Sequence, residues 1–137
     1  MSEDGNVKVV QTLFEAFGRG DIPALLSSLS DDVSWQIFGT ASGVPYYGEH
    51  KGQAGVTDFF GKLGGNVEFE RFEPREFLSV EGERVLVLGG ERGRVKPTGR
   101  SFDQEWAMVF TLKGGKVTSF RCYEDTEAVA VAFSPQG

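Results

Sequence analysis

The chain has 137 residues, a length that fits one compact domain (1–137) able to bury a core without disulfides or metals. A formal net charge of −6 argues against broad nucleic-acid binding, and the single cysteine excludes an internal disulfide. No run reaches the length of a membrane helix and no basic–apolar leader opens the sequence, so a cytoplasmic protein is expected. Twelve phenylalanines beside nineteen glycines suit either a curved sheet around a cavity or a solid Phe-rich core.

Residues 6–18 carry Val7, Val10, Leu13/Phe14 and Phe17 at helical spacing. Gly18-Arg19-Gly20 ends that helix, and Asp21 with Pro23 starts a short second one bearing Leu25, Leu26 and Leu29. Val33, Trp35 and Ile37 alternate with polar residues as a first strand. Residues 39–55 read as a Gly/Ser/Pro-rich loop with a small strand at Tyr46–Gly48. A third helix is predicted over 53–63, stopped by Gly64-Gly65. The remainder is mostly strand: 67–79 with a bend at Pro74, 84–97, and a hairpin over 104–125 turning at Gly114-Gly115. In that hairpin Trp106, Met108, Phe110 and Leu112 form one heavily apolar row. Thr126–Phe133 closes the chain as a short helix. The layout is α+β, with helices segregated onto one face of a strongly curved sheet.

Three stretches carry a family resemblance: "LFEAFGRGDIPALLSSLSDDVSW", "FERFEPREF" and "GGKVTSFRCYEDT". They resemble the SnoaL-like branch of the nuclear-transport-factor-2-like (NTF2-like) superfamily, which includes ketosteroid isomerases, limonene-epoxide hydrolases and polyketide cyclases. The resemblance implies a cone-shaped fold. In it, a strongly curved antiparallel or mixed sheet carries three N-terminal helices on its concave face around a deep apolar pocket. It also implies a homodimer through the outer sheet face.

The known chemistries of that superfamily are not reproduced. By resemblance, the isomerase phenol falls at Leu13, its base at Ile37 and its acid at Ala107 or Met108. The epoxide-hydrolase bridging arginine falls at Arg92, but its flanking carboxylates fall at Arg94 and Cys122, and its first-strand aromatic and polar residues at Trp35 and Ile37.

Strand parity offers another inward set: Trp35, Arg92, Arg94, Trp106, Met108, Cys122 and Glu124. Arg92 and Arg94 would stand roughly 6–7 Å apart on one strand face and could clamp a carboxylate, enolate or phenolate. The alternative places both at the sheet rim, paired with Glu91, Asp103 or Glu105. Glu124 beside apolar walls would be a general base with a raised pKa; the alternative is an Arg92–Glu124 ion pair. Cys122 reads as a small buried filler and His50 as an exposed loop residue, lid or proton carrier. Tyr46 and Tyr47 are placed at the mouth. No metal-ligand spacing or phosphate loop is present, so no metal and no cofactor are expected.

Two catalytic residues are thus expected, Glu124 and Arg92, with Trp35, Arg94, Trp106, Met108, Cys122 and Tyr46 contacting the ligand. The expected ligand is a small apolar, ring-bearing molecule with an anionic or enolisable oxygen, isomerised, cyclised or hydrolysed by acid–base chemistry. The alternatives are a non-catalytic carrier or sensor, and a structural homodimeric module whose cavity Phe69, Met108 and Phe110 fill. The outward row Val85, Val87, Val109, Val117 and Tyr123 is expected to form the dimer face, with neither nucleic acid nor membrane as partner.

Overall fold

The computed structural model describes residues 3–135, with side chains from Gly5 onward. The element order is α1 (Glu3–Gly18), α2 (Ile22–Leu26), β1 (Leu29–Ile37), β2 (Gly48–Lys51), α3 (Gly52–Asn66), β3 (Val67–Val80), β4 (Arg84–Val95), β5 (Ser101–Lys113), β6 (Lys116–Glu124) and α4 (Thr126–Phe133). The strands form one six-stranded curved sheet in the order β2-β1-β6-β5-β4-β3. All neighbours are antiparallel except β1 and β6, which run parallel. The α+β cone is therefore as expected, with three helices before the long strands and the short closing helix at Thr126–Phe133. Among the described residues no helix is long and apolar enough to cross a membrane.

Local chemistry explains most of the boundaries. The Asp21 side chain accepts from Ala24 N at 3.1 Å and starts α2; Asp125 accepts from Ala128 N at 3.1 Å and starts α4. Gly114 (φ 58°) and Gly115 (φ 79°) turn β5 into β6. Pro74 stands beside a register shift in β3, the expected bulge. Several boundaries differ from expectation: α1 begins at Glu3, α2 ends at Leu26 so that Leu29 opens β1, and β5 begins at Ser101. The second strand lies at Gly48–Lys51 and not at Tyr46–Gly48, and α3 runs through Gly64 and Gly65 to Asn66. Glycine weakens a helix without ending it, and Phe59, held against Trp35 at 6.0 Å, keeps α3 on the sheet.

Register decides which rows face the helices. Val95 N donates to Arg100 O at 2.8 Å, so the turn pairs odd residues of β4 with even residues of β5. Trp106, Met108 and Phe110 face the concave side, and their partners Gly89, Val87 and Val85 face it with them. Val85, Val87 and Val117 are wholly buried in the core, which corrects their expected place on an outer dimer face. Gly89 is required at its position: a Cβ there would lie 2.3 Å from Glu73 O and 2.7 Å from the Trp106 ring.

Candidate functional site

The concave face and the helices frame a cavity of about 70 Å³. Roughly 10–15 Å³ of such space holds one water, so the interior has room for several. Phe69, Met108 and Phe110 line the space without plugging it. α1 contributes Leu13, Phe14 and Phe17, and α3 contributes Phe59, Phe60 and Leu63. These are the inner stripes that their helical spacing predicts. Trp35 lines the wall from β1, stacked on Phe120 with ring centroids 4.0 Å apart.

Against this aromatic wall stand two carboxyl groups, Glu91 from β4 and Glu124 from the end of β6. Glu91 is 7% exposed, and its Oε2 accepts from Gln104 Nε2 at 2.9 Å. Gln104, itself buried, accepts at Oε1 from Asp125 N at 2.9 Å, which fixes its amide so that the NH2 faces Glu91. The Trp106 indole N–H approaches Glu91 closely enough to favour its charged form, yet Nε1 has no hydrogen bond of good geometry. Glu124 Oε2 accepts from the Tyr47 hydroxyl at 2.9 Å, while the Cys122 thiol is only a weak 3.9 Å neighbour of Oε1.

Burial dominates the ionisation of both acids. Desolvation pushes Glu91 up to about 8, opposed by the Gln104 N–H and reinforced by the charge of Glu124. Desolvation likewise pushes Glu124 up to about 7, opposed by the donors Tyr47, Gln104 and Cys122. Burial raises the Tyr46 and Tyr47 phenols and the Cys122 thiol, so all three stay neutral near pH 7. No lysine, arginine or histidine is among the residues lining the cavity.

The expected site is brought together only in part. Trp35, Tyr46, Met108, Cys122 and Glu124 all line the cavity. Trp106 is outside the lining, behind Phe14 and Phe72, with centroids 6.2 and 5.3 Å away. Arg92 and Arg94 do not face the interior; this expectation is corrected. Their row shares the outer face with Gly90, because the inward row of β4 is Val85, Val87, Gly89, Glu91 and Gly93. Arg92 bonds Glu70 at 3.0 Å and lies 3.6 Å from Asp103, and Arg94 bonds Glu68 at 3.0 Å. Their side chains are 46% and 40% exposed, so no buried clamp for an anionic oxygen exists there. The Arg92–Glu124 ion pair is likewise absent. His50 is half-buried on β2, its Nε2 2.9 Å from Tyr46 O, and it does not reach the cavity.

Two participants were missed, Glu91 and Gln104, and Tyr47, expected only at the mouth, also holds Glu124. Glu91 and Gln104 are paired across β4 and β5, a signal the turn at 96–99 contains. Tyr47 comes from the loop before β2. Gly39 admits its ring, since a Cβ there would meet the ring 2.3 Å away.

A curved α+β cone with helices closing an aromatic-walled cavity defines an NTF2-like protein. A family model for the SnoaL-like domain matches residues 10–120, and the chain belongs to that family. It is similar to an NTF2-like protein from Burkholderia xenovorans LB400, at 42% identity and a TM-score of 0.88, over 98% of this chain and 99% of that one. It is also similar to an NTF2-like protein of unknown function from Burkholderia pseudomallei K96243, at 30% identity and a TM-score of 0.87, over 98% and 99%. TerC, in a structure co-crystallised with polyporic acid, shares 25% identity at a TM-score of 0.81, over 94% of this chain and 98% of that one. No curated protein matches the sequence.

Proposed function

We propose that the cavity binds an apolar, ring-bearing small molecule and exchanges a proton with it through Glu91 and Glu124. The observation that carries this reading is the meeting of two buried carboxyls, from different strands, at one aromatic-walled space. Two neighbouring carboxyls in a dry site do not both ionise readily. With Glu91 near 8 and Glu124 near 7, the pair at neutral pH holds a proton to give and a carboxylate to receive one. Gln104 holds Glu91 by Oε2, and Tyr47 holds Glu124 by Oε2. That leaves one oxygen of each carboxyl without a strong protein donor, as the two ends of a proton exchange require. The polyporic acid of the TerC structure supports a small-molecule pocket in this fold. The acid itself does not carry over, because the cavity here offers it no cation.

The test is a library of ring-bearing compounds scored for binding by calorimetry and for turnover by mass spectrometry. Turnover in the wild type that is lost in Glu124→Gln and in Glu91→Gln, and kept in Arg92→Gln, supports the reading. Binding without turnover in the wild type makes the protein a carrier or sensor and removes the chemistry.

A further inference from the structure

We infer that the ligand is a nitrogen base and that the charge this cavity accommodates is positive. The inference rests on the proposed pocket and names the class of molecule it takes.

Two independent features of the cavity favour a cation, and a third fixes a neutral part of the ligand. The ionisable side chains lining it are Glu91, Glu124, Tyr46 and Cys122, all acids, with no basic residue among them. A ligand carboxylate or a developing oxyanion would therefore meet two carboxyls and no countercharge, a costly arrangement in a desolvated space. The walls are faces and edges of Phe14, Phe17, Phe60, Trp35 and Phe120, and aromatic rings attract cations through their quadrupoles. Trp35 contributes a further polar point: its indole N–H is buried, with the residue 3% exposed, and has no partner. A ligand acceptor, such as an ether or carbonyl oxygen elsewhere on the ring skeleton, would satisfy it.

The proton balance is closed without a co-reactant. The Glu91 O–H bond breaks and the proton moves to the lone pair of the ligand nitrogen, forming an N–H bond. Glu91 is left a carboxylate beside the new cation, and the total charge is unchanged. Glu124, when ionised, faces the same cation with its Oε1. A ligand arriving as an ammonium makes the same contacts with both carboxyls already ionised.

The experiment compares three probes built on one benzyl skeleton: benzylamine, benzyl alcohol and phenylacetate, titrated calorimetrically into the full chain at pH 7. Benzylamine is expected to bind at least tenfold tighter than benzyl alcohol, with phenylacetate weakest. In Glu91→Gln and Glu124→Gln the advantage of amine over alcohol is expected to fall below threefold while the alcohol affinity stays within about twofold. That control shows that the variant pocket is intact. An amine no tighter than the alcohol, or phenylacetate tighter than either, overturns the inference and leaves the pocket reading standing. Failure of all three probes to bind overturns the pocket reading and the inference with it.

Discussion

Glu91 and Glu124 keep their protons more firmly in the folded chain than an ordinary carboxyl does. Their native values, about 8 and about 7, lie above the reference of 4.5, so the unfolded state binds fewer protons between these limits. The stability they confer is complete below about pH 4.5 and is lost as the pH rises through about 7 and then about 8. The Tm of the wild type, relative to a Glu91→Gln/Glu124→Gln double variant, is expected to fall between pH 5 and pH 8.5; a constant difference would contradict the assignment. Tyr47→Phe removes the hydroxyl that favours ionised Glu124. The Glu124 carboxyl should then titrate at higher pH, which carbon NMR of the labelled carboxyl reads directly. Gly39→Ala should do the same less cleanly, by displacing the Tyr47 ring.

Two elements, α3 and β4, respond to glycine substitution in opposite ways. Gly61 lies on an exposed face of α3 with open space where a Cβ would go. Gly61→Ala is expected to stabilise the protein by about 0.5–1 kcal/mol. Gly89→Ala places its methyl against Glu73 O, a backbone atom, and against Trp106, and is expected to destabilise by about 1–3 kcal/mol. Urea unfolding measures both. The same strand shows where sequence patterning runs out. Helix α1, the β5–β6 hairpin and Glu124 were legible because each has one apolar side and one polar side. In β4 the rows Val85/Val87 and Leu86/Leu88 are equally apolar, so hydropathy alone does not choose the inward one. Parity counted from the wrong row is what points Arg92 and Arg94 inward. The pairing of Val95 with Arg100 resolves the choice, and with it the place of Glu91.

The outer surface of the whole molecule divides into two zones. Toward one end Arg71, Arg75, Arg92 and Arg94 interleave with Glu68, Glu70, Glu73, Asp103 and Glu105. Exposed pairs of this kind contribute about 0–1 kcal/mol each, so Arg92→Gln should leave both stability and ligand binding nearly unchanged. Elsewhere on that face Leu78 and Tyr123 are 44% and 42% exposed, and Phe38, at 38%, stacks on Tyr123. The homodimer through the outer face remains our proposal, with Leu78, Val109, Tyr123 and Phe38 replacing the buried valines as its surface. Sedimentation should show a dimer at micromolar concentration that Val109→Asp shifts to monomer; a wild-type monomer would dismiss it.

Strand β6 lies in the middle of the sheet, between β1 and β5, although it is the last of the six strands in sequence. During synthesis β1 and β2 therefore wait, without the parallel neighbour that β1 needs, until α3 and the other four strands have left the ribosome. Pairings so distant in sequence make folding slow, and they leave a half-built sheet open to mispairing. A nascent chain halted before Lys116 would have neither its Glu124 carboxyl nor a closed interior. The capacity to hold a ligand should consequently appear late and all at once, as the last strand slots into place.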